Sequence, residues 1–216
     1  MKKSLLLILA TLAIFSCEKI KPEPETPQGT AETPYVITTA EDLTKVGELI
    51  KVDTLVYVEL GADIDMSAVK DFVPFNAVAP YNKQIHFDGK GHTISNLTCA
   101  SEKYPSLFGV LIGTCQNLNI DNANITANGT CGVIAATVGS ADISAVLENV
   151  TITNSNVTND GQFAAGVCGT AVNAKVKNVS FQGMIISNFT QEAKAGGFVG
   201  QGLLFLSVDA SSRTPS

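Results

Sequence analysis

The chain has 216 residues, enough for one domain with appendages. It is acidic, with 14 Lys+Arg against 20 Asp+Glu, which argues against nucleic acid as a partner and against electrostatic docking on anionic lipid. Charged residues are only 16% of the chain and Trp is absent, while β-branched residues and turn-formers abound, so composition points away from disorder and towards an all-β protein.

Lys2 and Lys3 open the chain, and Leu5 to Phe15 form an apolar stretch broken by Thr11 and closed by Ser16 and Cys17. A helix needs about twenty apolar residues to span a bilayer, so this stretch reads as a signal-peptide core. The tetrapeptide Ile14-Phe15-Ser16-Cys17 resembles the lipobox of bacterial lipoproteins: aliphatic, variable, small, Cys. That resemblance implies removal of residues 1–16, lipidation of Cys17 through a diacylglyceryl thioether and an N-acyl chain such as palmitate, and attachment to the outer membrane on its periplasmic or cell-surface side. Several acyl chains at about 0.8 kcal/mol per buried methylene make a durable anchor. The segment 17–34 carries Pro22, Pro24, Pro27 and Pro34 among Glu, Lys and Thr, a composition expected to form an extended tether.

Next comes a helix signal. Thr39 with Asp42 three residues later resembles a capping box, and Leu43, Val46, Leu49 and Ile50 lie along one helical stripe. A short amphipathic helix here would cover the end of a solenoid, and Leu55 to Leu60 would be its first strand.

From residue 84 a two-strand phrase recurs. One strand type leads with Asn before alternating apolar residues, at Asn117, Asn149 and Asn178, with a degenerate copy ending at Ile94-Ser95-Asn96-Leu97. The other is small and Gly-rich: Ser106-Leu107-Phe108-Gly109, Gly132-Val133-Ile134-Ala135, Gly166-Val167-Cys168-Gly169 and Gly197-Phe198-Val199-Gly200. A period near thirty residues without any 3.6-residue apolar pattern suits coils of a parallel β-helix better than helical repeats. Leu118/Ile120, Val150/Ile152 and Val179/Phe181 should face inwards. Phe108, Ile134, Cys168 and Val199 should stack in one column, Gly109, Ala135, Gly169 and Gly200 in another, and the Asn residues in amide ladders. Cys99, Cys115, Cys131 and Cys168 read as small buried hydrophobes, with one disulfide left open by an exported context. The seven Asn-x-Ser/Thr sequons, at Asn96, Asn124, Asn128, Asn149, Asn156, Asn178 and Asn188, read as repeat chemistry.

The phrase Phe87-Asp88-Gly89-Lys90-Gly91-His92-Thr93-Ile94-Ser95-Asn96-Leu97, with the Leu-Phe-Gly and Gly-Phe-Val-Gly repeats after it, resembles the GLUG-motif β-helix proteins of the pectin-lyase-like group. Ile37 to Leu43 and Asp63-Ile64-Asp65-Met66-Ser67 look like that group's lead-in, so the resemblance covers Tyr35 to Gly200. It implies a right-handed parallel β-helix of a few coils with a short N-terminal capping helix, on a bacterial surface, and it implies no particular activity. The expected β-helix domain is 35–206, followed by a polar tail over 207–216.

Because right-handed β-helices include polysaccharide lyases and hydrolases, an enzyme has to be considered. Uronate lyases need a Lys or Arg base and positive charge, often Ca²⁺, yet Arg213 is the only arginine, and Lys175, Lys177 and Lys194 are the only basic residues between Tyr104 and Gly200. Glycoside hydrolysis needs two carboxylates about 5–10 Å apart. Asp121, Asp142, Glu148, Asp160 and Glu192 fall at mostly different places in their coils, so no catalytic residue is assigned. Asp63, Asp65 and Asp88 are the best-placed acids, either as a Ca²⁺ site or as turn caps through their own backbone. His86 should face outwards and His92 sits in the Gly-rich turn, neither with a partner at a recognisable spacing. No cofactor is implied. The leading expectation is a non-catalytic adhesion or polymer/protein-binding module that meets a glycan or surface protein. The alternatives are a short polysaccharide lyase or glycoside hydrolase, and a structural spacer.

Overall fold

Each Asn-led phrase forms one rung of a parallel sheet. Leu118 lies in register with Val150, and Val150 with Val179, while Ile120, Ile152 and Phe181 stack likewise two residues on. Alternation turns these side chains inwards, and all but the half-buried Phe181 are sealed from solvent. The computed structural model describes residues 28–70, 72–77, 83–101, 103–188, 194–203 and 207–210. Within them the rungs build an 11-stranded sheet, whose spine runs through Tyr35–Ile37, Leu55–Leu60, Gln84–Asp88, Gly113–Asp121, Ala145–Asn159, Ala174–Ser187 and Ser207–Ala210. The Gly-rich phrases contribute a 4-stranded sheet of Phe108–Leu111, Ala135–Val138, Cys168–Val172 and Val199–Leu203. Thr130–Cys131, Phe163–Ala165 and Lys194–Gly196 form a 3-stranded sheet between the two. The chain is therefore a parallel β-helix of about five turns, with one helix among the described residues.

The helix Ala40–Leu49 starts where the capping box placed it. The Thr39 hydroxyl accepts from Asp42 N (3.1 Å) and donates to Asp42 Oδ2 (2.7 Å). Leu43 and Val46 are fully buried and Ile50 nearly so, which closes the first coil. The first strand, however, is not Leu55–Leu60. Tyr35–Ile37 precedes the helix and pairs in parallel with Leu55–Leu60, Tyr35 opposite Val58. Three residues are too few to show alternation in a sequence. The end of the expected tether is also folded: Gly29, at φ +84, accepts a hydrogen bond at its carbonyl from Tyr57 N (3.0 Å).

The register of the Gly-rich phrases differs from the expectation by one residue. Ala135, not Ile134, pairs with both Phe108 and Cys168, so the column is Phe108, Ala135, Cys168 and Val199. The neighbouring column accordingly takes Ala136, not Ala135, beside Gly109 and Gly169. Side-chain volume sets this register, because small Ala135 leaves room for the ring of Phe108 beside it. At the other end, Ser207–Ala210 is a strand and not a tail: Lys175, Val176 and Lys177 lie opposite Ser207, Val208 and Asp209. Its pairing is made by backbone groups, which polar side chains do not betray. Cys17 with the apolar stretch before it, the tether up to residue 27, Tyr81, Glu192, residues 204–206 and Arg213 lie outside the described residues.

The interior changes character along the axis. Phe72, Phe75, Phe87 and Phe108 fill the early coils, with ring centroids 5.2 Å apart for Phe75–Phe108 and 5.6 Å for Phe87–Phe108, both edge-on. Later coils are filled by Ile, Val, Leu, Ala and Cys. Cys99, Cys115, Cys131 and Cys168 are free and buried. Their rung neighbours include Ile125, Leu147, Ala164 and Ala135, with Phe87 on the other side of Cys115, so they sit as single links in apolar columns. Burial pushes the Cys131 and Cys168 thiols up to about 12, which keeps them protonated and inert. Truncating the centre of the aromatic cluster, Phe108→Ala, is expected to cost about 3–5 kcal/mol, read from urea denaturation of the purified protein.

Candidate functional site

The outer wall of the large sheet turns at asparagines. Asn117, Asn149 and Asn178 hold left-handed backbone, with φ of 52, 53 and 50. Asparagine tolerates this region because its short amide bonds locally. Here those amides join one another. Asn178 Nδ2 donates to Asn149 Oδ1 (2.8 Å), Asn149 Nδ2 to Asn117 Oδ1 (3.0 Å), and Asn117 Nδ2 to Asp88 Oδ1 (3.1 Å).

A second ladder runs along a second bend. Asn122 Nδ2 donates to Asn96 Oδ1 (2.7 Å), and Asn96 Nδ2 to Asp65 Oδ1 (2.8 Å). Asn96 thus belongs beside Asn122, with Ile94 opposite Ile120, and not in the Asn117 ladder that its degenerate phrase suggested. In the following coil Asn154 Nδ2 turns to Asp121 Oδ1 (2.7 Å) instead. Asn122 and Asn154 escaped the sequence reading, although each follows the first-bend Asn of its coil by five residues.

These ladders decide what Asp63, Asp65 and Asp88 do. Asp63 accepts from Thr93 N (2.8 Å) and lies 3.2 Å from His92 Nδ1, so the Thr93 amide and then the His92 ring hold its carboxyl below the usual range. Asp65 takes the Asn96 amide and Ser67 N (2.9 Å), with the same effect. Partial burial works to raise Asp88, but donors from Gln116 (2.9 Å), Lys90 N (2.8 Å) and Asn117 outweigh it. Each carboxylate is a structural acceptor: Asp65 and Asp88 cap their own turns through Ser67 N and Lys90 N, whereas Asp63 holds Thr93 N about thirty residues on. Asp121 is held low as well, by the Thr153 hydroxyl and then the Asn154 amide. Among the described residues no group of three or more His, Cys, Asp or Glu is placed to share a metal ion. His86 meets Tyr57 on the preceding coil, ring centroids 5.1 Å apart.

Other polar groups are engaged in the same way. Lys90 pairs with Glu59 (3.2 Å) and Lys177 with Glu148 (2.7 Å). A cleft of about 330 Å³ lies between Tyr35–Ile37 and the helix, where Asp42 already serves the Thr39 cap. A smaller one of about 210 Å³ is lined by Lys70, Phe72, Val73, Ala100 and Ser101. Among the described residues no helix is long and apolar enough to cross a membrane.

One flank stands apart. Past the second bend, outward positions stack in rows: Asn124, Asn156 and Met184, then Thr126, Thr158 and Ile186. None of these six residues is charged, and Met184 and Ile186 are 54% and 40% exposed. Asn156 Nδ2 donates to Asn124 Oδ1 (3.2 Å), so the row repeats the ladder chemistry on an open face.

A solved structure resembles this arrangement. A candidate immunoglobulin A1 protease from Bacteroides ovatus, known from a crystal structure at 1.30 Å, superposes with a TM-score of 0.69 at 27% identity. The match covers 85% of this chain and 60% of that one, so this chain spans well under two thirds of that protein's length. No family model matches the chain, and no curated protein does.

Breaking the ladder at its centre separates two contributions. Asn149→Ala loses both the amide link and the tolerance for positive φ, and should cost roughly 1–3 kcal/mol in urea denaturation. Asn149→Gly keeps the backbone at ease and should cost clearly less. For pH, carboxyls whose folded pKa is depressed contribute stability that is present above the ordinary aspartate range and lost as pH falls through the folded values. Asp65→Asn should therefore narrow the stability gap between neutral and acid denaturation series.

Proposed function

We propose that this protein is a lipid-anchored β-helix displayed from the bacterial outer membrane as a non-catalytic adhesion or polymer-binding module. The observation that carries this reading is the uncharged flank of Asn124, Thr126, Asn156, Thr158, Met184 and Ile186, whose rows repeat at the strand spacing of about 4.8 Å. A regular, flat, uncharged surface suits an extended partner that is itself uncharged, a neutral glycan or a surface protein segment. The lipobox-like Ile14-Phe15-Ser16-Cys17 and the Pro-rich segment after it support display at a distance from the bilayer, and the GLUG-like phrases support a surface location.

The likeness to a candidate immunoglobulin A1 protease favours a second reading. In it, the solenoid engages immunoglobulin A1 or a protein like it, and supplies the holding surface for a longer machine.

Two measurements test these readings. Cys17→Ser should move the protein from the membrane fraction to the soluble fraction. If it remains membrane-bound, the anchor is elsewhere. The full chain should be retained on an array of neutral glycans and immunoglobulin A1 without turnover, and Thr158→Lys alone, which places no second charge opposite it, should weaken retention clearly while urea denaturation shows the fold intact. Cleavage of the immobilised partner would show an enzyme instead, and silence across the array would remove the binding reading.

A further inference from the structure

Asn159 is fully buried, and its side chain is committed to two glycines. Its Oδ1 accepts from Gly129 N (3.1 Å) and from Gly161 N (2.9 Å), and its Nδ2 donates to Gly129 O (2.8 Å). These two nitrogens have something in common. Gly129 follows Asn128 in the chain's single Asn-Gly pair, and Gly161 follows Asp160 in one of its two Asp-Gly pairs. A glycine nitrogen after Asn or Asp is the group that attacks the preceding side chain to form a succinimide, because no side chain hinders its approach.

We propose that Asn128 and Asp160 are latent isoaspartate sites, and that Asn159 is the positioning residue that keeps both silent in the folded protein. At Asn128 the reaction would form a bond from Gly129 N to Asn128 Cγ, with the Gly129 amide proton lost and the side-chain nitrogen leaving as ammonia. At Asp160 the same attack by Gly161 N would expel water from the carboxyl group. Water then opens either ring at one of its two carbonyls, giving aspartate or isoaspartate. With its N–H donated to the Asn159 carbonyl oxygen, each nitrogen is held in a fixed peptide plane and its proton is engaged. Gly129 is held through both its N–H and its C=O, which fixes the two peptides that flank its Cα.

The two turns lie directly on one another. A Cβ added at Gly161 would fall 2.5 Å from Gly129 Cα and 2.6 Å from Asn128 C. Isoaspartate routes the main chain through the side chain and adds a methylene, which this stacking has no room for. One local opening long enough for the reaction would thus prevent the coil from closing again, and at Asn128 it would add a negative charge.

The test is to incubate the full chain, native and in urea, at mildly alkaline pH for Asn128 and at mildly acidic pH for Asp160 and Asp88, whose carboxyls must be protonated to release water, and to quantify isoaspartate at each site by peptide mapping. The native rates at Asn128 and Asp160 should be at least about tenfold below the unfolded rates, the protection that an opening cost of ordinary size confers. Asn159→Ala should raise both native rates several-fold. Asp88-Gly89 should not change, because Gly89 N donates to Gln116 O (2.8 Å), far from Asn159 in the ladder. Equal native and unfolded rates would overturn the proposal, and so would an Asn159→Ala protein that keeps Asp88-Gly89 protected and leaves the other two sites unchanged. If the variant raises all three rates it has unfolded, and amide hydrogen exchange in the unmodified chain decides. Slow exchange at Gly129 and Gly161 supports the clamp, and fast exchange at either refutes it.

Discussion

Along the first bend, in three successive coils, an asparagine takes up left-handed backbone and passes an amide N–H to the coil before it. The bend itself costs about 1–2 kcal/mol for an ordinary residue. A flat strand of fifteen residues such as Ala145–Asn159 would run off the end of a narrow solenoid, so the turn is unavoidable. Asn149 and Asn154 divide that strand into three short faces while the parallel pairing continues past both bends. The inward columns, the corners and the outer flank all inherit their spacing from these two turns.

The interior answers the same geometry with volume. Rings crowd the coils nearest the helix, and small aliphatics and thiols occupy the later ones. Ala135 opposite Phe108 shows how size is traded between neighbours on the axis. Asp65, Asp88 and Asp121 along the bends each serve an asparagine amide, so these carboxylates are scaffold, while the wall past the second bend carries uncharged side chains.

Much of this was legible in the sequence. The Asn-led phrases announced both the inward pairs and the first ladder, because alternation and positive-φ chemistry are written in residue type. The helix was legible from Thr39, Asp42 and its apolar stripe. The Gly-rich phrases misled by one residue, since glycine marks close approach but side-chain volume fixes register. Tyr35–Ile37 and Ser207–Ala210 were hidden because a short edge strand is held by backbone groups that composition does not report. At the candidate site, residue type and spacing left Asp63, Asp65 and Asp88 open to a Ca²⁺ site or to turn caps. The amide donors that occupy them come from residues about thirty positions away, which no local pattern reveals.

The ladders also have a direction. Along the first bend every amide reaches back towards the coil before it, and the series starts on the carboxylate of Asp88, which has no N–H to give. Each coil therefore finds its template in the one already laid down, and pairing partners are never more than about one period apart in the chain. Such a molecule can wind up vectorially, from helix cap to last rung, as its chain emerges N-terminus first from a ribosome or an export pore.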